Sequence, residues 1–116
     1  MPLIEVVHVA SVDDAVLHEL ARTLPHAVSL AVECPDEPYD GHLQPGDVEV
    51  RFRERSRLDP PGLDLVVEVR SKWTASREES RDERCDRIRD AVLTVAGACS
   101  VGVYLSLPVA GWSQSG

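Results

Sequence analysis

The sequence has 116 residues, of which 43% are hydrophobic, and a formal net charge of −8 at pH 7. A chain of this size can bury one core without disulfides, so we expect a single domain over residues 1–116. Twenty acidic against twelve basic side chains repel phosphate backbones, which argues against nucleic acid as a partner. No apolar segment approaches the roughly 20 residues that cross a bilayer, and the amino terminus lacks the basic start of a secretory signal. We therefore expect no membrane partner and a cytoplasmic location.

The three cysteines are odd in number and far apart, and they contain no CxxC pair. None of the four histidines stands at metal-ligand spacing from them. The sequence thus predicts neither a disulfide framework nor a metal site, as is usual in a reducing compartment.

The first half of the chain predicts a strand, a helix and a second strand. A continuous apolar run over 3–9 indicates a buried strand, and Ser11-Val12-Asp13-Asp14 resembles a capping box that begins a helix. Apolar residues then recur at helical spacing to about position 31, although Pro25 removes a backbone donor and should kink or divide the helix. After a proline-rich connection over 35–45, residues 47–55 alternate between apolar and charged side chains, which predicts a half-buried strand.

The second half repeats this order. Residues 63–69 form another apolar run, Ser76-x-x-Glu79 resembles a second capping box for a helix over 75–96, and residues 100–107 alternate as a last strand. At an offset of sixty positions, Val6 to Val9 aligns with Val66 to Val69. The pattern predicts a duplicated βαβ unit, with repeats of about 1–58 and 59–116.

Each unit joins two parallel strands through a helix, and such connections are right-handed almost without exception. Both helices should therefore cover the same face of one four-stranded sheet, which is an α/β (α+β) fold. The uncovered face carries Val and Leu positions, so we expect it to be buried by self-association.

Three features together resemble the tautomerase superfamily: Met1-Pro2-Leu3-Ile4 opening a strand, the two βαβ units, and the closing segment from Val103 to Trp112. That superfamily includes 4-oxalocrotonate tautomerase, 5-carboxymethyl-2-hydroxymuconate isomerase, macrophage migration inhibitory factor, malonate semialdehyde decarboxylase and cis-3-chloroacrylic acid dehalogenase. The resemblance covers the whole chain. It implies a homotrimer, removal of the initiator methionine, and a pocket in which the proline nitrogen meets a carboxylate-bearing substrate held by arginines.

Pro2 also suits catalysis on physical grounds. Without Met1 it is a secondary amine, and a free α-amino group has a pKa near ~7.7–8 that burial and nearby cations lower. Such an amine is a general base near neutral pH. A retained Met1 would instead make the nitrogen a tertiary amide with no basic lone pair. The alternative interpretation is that Met-Pro is merely a common start.

Arg51 and Arg53 resemble an Arg-x-Arg pair that the muconate isomerases carry at this place. Two guanidinium groups suit a substrate with two carboxylates. Otherwise they belong to a solvated face paired with nearby glutamates. Arg70 and Lys72 follow the third strand, where the decarboxylase and dehalogenase branches are similar in having paired arginines. We take all four as candidate substrate-binding residues.

Tyr104 alternates with the apolar residues of the last strand, so it either reaches the pocket or packs at a subunit contact. His26 lies near the place of a functional histidine in the dehalogenase, but a surface histidine is the alternative. Trp112 resembles the tryptophan of the family's closing segment and would cover a pocket or interface. Acidic residues at 36, 37 and 40 fall in the loop where the decarboxylase supplies an aspartate, yet acids there are often only solvated.

The resemblance implies a cofactor-independent tautomerase or isomerase that moves a proton within a small keto or enol acid, with Pro2 as the base. Decarboxylation of a 3-oxo acid by a protonated Pro2 is one alternative, and a carboxylate from Asp36 or Asp40 beside Pro2 would favour it. A non-catalytic trimeric binding or scaffold protein is the other, because a fold alone does not fix an activity.

Overall fold

The computed structural model describes residues 2–116. The removal or retention of Met1 therefore lies outside the described residues. Within this range the elements, in chain order, are β1 (Leu3–His8), α1 (Asp14–Val32), a short 3₁₀ helix (Pro38–His42), β2 (Glu49–Glu54), β3 (Leu65–Arg70), α2 (Ala75–Glu79), α3 (Arg81–Ala96) and β4 (Val101–Ser106).

The four strands form one sheet in the order β2-β1-β3-β4. β1 is parallel to β2, β3 is parallel to β4, and the two central strands are antiparallel to each other. This arrangement confirms the predicted duplicated βαβ fold, because each parallel pair is joined through helix. No helix within residues 2–116 has the length and apolar composition that crossing a bilayer requires.

The core lies between one face of the sheet and the helices α1 and α3. Alternate residues of the central strands are fully buried there, as the two-residue period of a strand requires. Each fully buried aliphatic side chain contributes about 1.5–3 kcal/mol. The sheet contributes Ile4, Val6, Leu65, Val67 and Val69, and the helices contribute Leu20, Leu24, Val28, Ile88 and Val92.

The opposite face of the sheet is uncovered and more polar than the sequence analysis predicted. It carries Leu3, Val7 and Val66, but charged side chains alternate with these apolar ones. β2, expected to be half-buried, is an edge strand whose residues are exposed except for Val50, which is half-buried. The charged members of this face are Glu5, Glu49, Arg51, Arg53, Glu68 and Arg70.

Both predicted capping boxes were wrong in detail. The N-cap of α1 is Asp13, whose carboxylate accepts from the Ala15 amide at 3.1 Å. The N-cap of α2 is Thr74, whose hydroxyl accepts from the Arg77 amide at 3.2 Å. Aspartate and threonine both supply the oxygen that a free helical N–H needs, so the sequence pattern alone did not select the right one.

Two statements about helix continuity are also corrected, namely the alternative that Pro25 divides its helix and the single helix over 75–96. α1 is not divided at Pro25, because one missing N–H removes only one hydrogen bond from a helix that continues to Val32. The single helix predicted over 75–96 is instead two helices that meet at Ser80. The Ser80 hydroxyl donates to the Ser76 carbonyl at 3.0 Å and accepts from Arg84 Nε at 2.9 Å. These side-chain bonds compete with the regular helical pattern at this position.

The sixty-residue offset between the repeats is off by one position. The first residues of α1 and α2, Asp14 and Ala75, are 61 positions apart. Val6 is buried in the core, and so is Val67, whereas Val66 is only half-buried on the other face. A shift of one residue exchanges the two faces of a strand. Burial therefore decides the alignment of the two repeats, which sequence similarity alone left ambiguous.

Candidate active site

A cleft of about 700 Å³ opens at the end of the sheet where β1 begins. Because β1 and β3 are antiparallel, Leu3 lies opposite Arg70 at the end of β3. Because β1 and β2 are parallel, Leu3 also lies opposite Glu49 at the start of β2. The cleft is lined by Pro2, Leu3, Glu37, Tyr39, Asp47, Glu49, Arg51, Arg70, Ser71, Lys72, Pro108, Ala110, Gly111 and Trp112.

The cleft brings together five of the eight residues that the sequence analysis selected, namely Pro2, Arg51, Arg70, Lys72 and Trp112. They come from four separate segments of the chain, and the strand registers explain how they meet. The closing segment reaches this end because the Trp73 amide donates to the Pro108 carbonyl at 2.9 Å. The Ser71 amide likewise donates to the Ser106 carbonyl at 3.1 Å.

The other three selected residues do not line this cleft. Arg53 lies opposite Val7, two positions further from Pro2 than Arg51, and its Nε is 3.6 Å from a carboxylate oxygen of Glu5. Tyr104 lies on the outer strand β4 and is 69% exposed. Within a single chain, neither side chain reaches the cleft that contains Pro2.

His26 has a structural contact instead. Its Nδ1 lies 3.1 Å from the Leu43 carbonyl oxygen and 3.1 Å from Gln44 Nε2. These contacts link α1 to the connection over positions 33–48. His26 therefore supports the connection and is not among the residues that line the cleft.

The basic side chains of the cleft differ in their partners. Arg51 Nε lies 3.4 Å from Glu49, and Arg70 Nη2 lies 3.2 Å from Glu68. Both arginine side chains are more than half exposed, and such exposed ion pairs are weak enough to exchange for a substrate carboxylate. Lys72 makes no ion pair within the described part of the chain. All three cations are accessible to an anionic ligand at low cost.

Acidic residues also line the cleft, and the sequence analysis gave them little weight. Glu37 is the most constrained of them. Its side chain is 11% exposed and accepts from Arg77 Nη1 at 2.6 Å and from the Tyr39 hydroxyl at 2.9 Å. Burial raises the pKa of Glu37, but the hydrogen bonds from Arg77 and Tyr39 outweigh burial and hold it below the ordinary value. The carboxylate of Glu37 is thus kept ionised in the wall of the cleft.

Arg77 lies behind this wall and is fully buried. Besides Glu37 it donates to Asp40 at 2.9 Å, to the Val32 carbonyl at 2.7 Å and to the Lys72 carbonyl at 2.9 Å. In the sequence, Arg77 stands beside Glu78 and Glu79 near the start of the second helix, and charged residues grouped in this way are usually solvated. No periodicity marks it, because its burial arises from the way the connection folds over α2.

The aromatic walls complete the geometry. Tyr39 and Trp112 are 57% and 65% exposed, and both line the cleft. Their rings can cover the apolar part of a small ligand whose charged group meets the basic residues. Among residues 2–116, no group of His, Cys, Asp and Glu side chains is arranged to hold a metal ion.

No family model and no curated protein matches the sequence. Solved structures do match. Malonate semialdehyde decarboxylase is 14% identical with a TM-score of 0.65, and the match covers 97% of this chain and 90% of the decarboxylase. That protein was studied for its decarboxylase and hydratase activities, also with its first residue, a proline, replaced by alanine.

Two further solved structures support the same fold. A fused 4-OT described as a symmetric trimer is 17% identical with a TM-score of 0.61, covering 91% of this chain and 85% of its own. A 5-carboxymethyl-2-hydroxymuconate delta-isomerase is 14% identical with a TM-score of 0.55, covering all of this chain and 87% of its own. The chain therefore has the fold of the tautomerase superfamily, as its sequence resemblance implied.

Proposed function

We propose that this protein is a cofactor-independent tautomerase or isomerase, in which the Pro2 amine moves a proton within a small keto or enol acid. The observation that carries this proposal is the shared cleft of Pro2, Arg51, Arg70 and Lys72. It joins a terminal amine, if Met1 is removed, to cations that attract a carboxylate.

In the proposed reaction the substrate carboxylate binds Arg70 and Lys72, and the uncharged Pro2 nitrogen accepts a proton from the carbon or enol oxygen. The protonated nitrogen then returns this proton to another atom of the same substrate. Between the two transfers, the negative charge of the enolate is stabilised by the basic side chains, of which Arg51 is the third. The reaction as proposed balances without any cofactor.

Glu37 favours a second candidate reaction, the decarboxylation of a 3-oxo acid. The sequence analysis named Asp36 or Asp40 as the carboxylate for this reaction, but neither lines the cleft, and Asp40 is fully buried against Arg77. Glu37 of the same loop lines the cleft instead. An ionised carboxylate near Pro2 favours a protonated amine, which would polarise the 3-oxo group. The C–C bond breaks to release carbon dioxide, its electron pair forms the enolate, and a proton from Pro2 or solvent completes the product.

The charge balance of the cleft favours a monocarboxylate substrate in either reaction. Three basic side chains face three acidic ones, Glu37, Asp47 and Glu49. A second carboxylate on the substrate would meet these acids, and like charges at close range disfavour binding. We therefore propose one carboxylate at the basic side and an uncharged oxygen or apolar group at the other.

We also propose that the protein is a homotrimer. The uncovered face of the sheet pairs charged and apolar residues that a second copy would bury, and one of the similar structures is a symmetric trimer. Light scattering should give a mass well above the 12.7 kDa of one chain. A monomer at micromolar concentration would contradict the trimer but would leave the cleft within one chain intact.

The decisive experiment compares protein that has lost Met1, checked by intact mass, with a form that retains it. The processed protein should accelerate both the ketonisation of a simple enol such as phenylenolpyruvate and, if the second candidate is right, carbon dioxide release from a 3-oxo acid. General acid–base catalysis contributes about 10²–10⁴-fold, so the form with Met1 should lose activity on that scale.

Pro2→Ala is the matched control, because it keeps a terminal amine of different basicity and should retain partial activity. If the form with Met1 turns over substrate as fast as the processed protein, Pro2 is not the catalyst. If neither form shows activity on either substrate class, the non-catalytic binding or scaffold protein becomes the better interpretation.

A further inference from the structure

We propose that Arg77 is a positioning residue: from behind the wall of the cleft it fixes the Glu37 carboxylate in the site that Pro2 shares. The inference rests on the proposed function for its catalytic meaning. Its structural basis is independent of any activity, because it concerns which contacts keep a negative charge at this place.

The first argument is that the Arg77 guanidinium connects the segments that form the cleft. Nη1 donates both to Glu37 Oε1 at 2.6 Å and to the Lys72 carbonyl at 2.9 Å. The same nitrogen therefore connects Glu37, which supplies an acid of the cleft, with Lys72, which supplies a cation of the cleft. The separation between these two residues is set by a planar group that cannot deprotonate.

The second argument concerns the other donors of Arg77. Nε donates to the Val32 carbonyl at the end of α1, and Nη2 donates to Asp40 in the 3₁₀ helix. The Asp40 backbone carbonyl in turn accepts from the Ser29 hydroxyl, which ties the connection back to α1. Since Arg77 and the Asp40 side chain are both fully buried, the guanidinium is held in one orientation. Glu37 therefore meets a fixed partner.

The third argument is that Glu37 cannot hold this position alone. Its side chain is only 11% exposed, and burial opposes the charged form of a carboxylate. Its other partner, Tyr39, is exposed and donates a single neutral hydrogen bond. Without the charge-assisted bond from Arg77, the carboxylate would either take up a proton or turn toward solvent.

Pro2 shares the cleft with charged and titratable groups from three other segments, and Glu37 is the one with a buried cationic anchor. A fixed negative charge near an amine favours its protonated form, which decides whether Pro2 acts as a base or as an acid. The connection contributes Glu37, Tyr39 and Asp47, β2 contributes Glu49 and Arg51, and the end of β3 contributes Arg70 and Lys72.

The test uses full-length protein with a free Pro2 amine and measures the pKa of that amine by ¹⁵N NMR, which needs no activity. Glu37→Gln removes the charge and keeps the shape, so it should lower the pKa of Pro2 by roughly one. Arg77→Lys keeps the positive charge but loses the planar guanidinium that holds the Glu37 carboxylate. It should therefore also lower the pKa of Pro2. The double variant should add little to Glu37→Gln, because both act through the same carboxylate.

Arg84→Lys is the matched control. Arg84 is also buried, and its Nη1 donates to the Ala31 and Glu33 carbonyls near the end of α1, but within residues 2–116 it forms no ion pair with a carboxylate. This variant should disturb the same junction while leaving the pKa of Pro2 unchanged. An equal change in Arg77→Lys and Arg84→Lys would mean that both arginines act only by supporting the fold.

Two further results from these variants would overturn the proposal. One is a folded Arg77→Lys variant in which Pro2 titrates as in the wild type, and the other is a Glu37→Gln variant with no effect on Pro2. If Arg77→Lys does not fold, the wild-type Glu37 carboxyl is titrated by ¹³C NMR, and a pKa at the ordinary value near ~4.3 would equally overturn it. Coupling of Arg77, Glu37 and Pro2 without turnover of either substrate class would contradict the proposed function while leaving this assignment intact.

Discussion

The two ends of the sheet are built from the same strands, yet one is open and the other is closed by hydrogen bonds. The open end holds the cleft with Pro2. At the closed end, the Val9 amide donates to the Asp64 carbonyl at 3.0 Å and the Arg55 amide donates to the His8 carbonyl at 2.8 Å. Asp64 and Ser100 exchange two further bonds, at 2.9 and 3.0 Å. At this end, the polar groups of backbone and side chains satisfy each other's hydrogen bonds without a ligand.

The difference comes from the connections between helix and strand. In the second unit the chain passes from α3 to β4 through positions 97–100 only, and this connection is too short to form the wall of a cleft. In the first unit, positions 33–48 separate α1 from β2 and include the 3₁₀ helix, Glu37 and Tyr39. A duplicated unit therefore produces unequal ends when one copy lengthens a connection and anchors it through a buried arginine.

The largest effect that we expect from changing the open end of the sheet is on turnover. Arg70→Ala removes a basic side chain of the cleft and should lower kcat/KM by about 10- to 100-fold, since one charge-assisted hydrogen bond is worth ~1.5–3 kcal/mol. Arg53→Ala removes an arginine of the same sheet face that does not line the cleft and should lower it less than threefold. Steady-state kinetics on the best monocarboxylate substrate would measure both. Equal losses would show that the catalytic site extends beyond this cleft.

The next largest effect is on stability at the closed end. Asp64→Ala loses the side-chain bond to the Ser100 amide, and we expect the free energy of unfolding to fall by ~1–2 kcal/mol with kcat/KM unchanged. Asp59→Ala is the control, because within residues 2–116 the Asp59 side chain accepts only from the Ser56 amide, in an exposed turn, and its loss should cost less. Urea unfolding followed by circular dichroism would measure both. Lost turnover without lost stability in Asp64→Ala would contradict the division into two ends.

A smaller effect should appear in acid. The pKa of Glu37 is lowered in the folded protein, so its contribution to stability is complete above the unfolded value near ~4.3 and is lost as the pH falls through the lower folded value. The free energy of unfolding should decline in that window in the wild type, and less steeply in Glu37→Gln. Urea unfolding at a series of pH values would measure the slopes. Identical slopes in the two proteins would show that Arg77 does not stabilise the ionised form.

The smallest expected effect concerns Tyr104. If the cleft of one chain is the complete site, Tyr104→Phe should change kcat/KM less than twofold, because its exposed hydroxyl lies outside the cleft. A loss above tenfold would instead indicate that a neighbouring subunit brings Tyr104 to the substrate. The same measurement therefore sharpens the boundary of the open end and tests the functional value of the trimer.

The sequence predicted the fold well because hydrophobic periodicity is a local signal. The apolar runs of β1 and β3 and the helical spacing of α1 are visible from neighbouring residues alone. Pro2 was selected for its terminal amine, and Arg70 and Lys72 were selected for their resemblance to paired arginines after the third strand. Antiparallel pairing of β1 with β3 then brings the start of one strand and the end of the other together. These parts of the site follow from topology.

What only the tertiary structure decided is the acidic wall of the cleft and the arginine behind it. Glu37 and Arg77 are forty positions apart, and neither belongs to a periodic pattern that would mark it as buried. Burial of a charged residue depends on whether a distant segment supplies opposite charge and hydrogen bonds, which no local window contains. The same reason explains Arg53: its sequence neighbours resemble a substrate clamp, but the strand register places it beside Glu5 and away from Pro2. The four strands and their duplicated βαβ order follow from the pattern of the letters, whereas the acidic charge that Pro2 meets in the cleft depends on how one long connection packs.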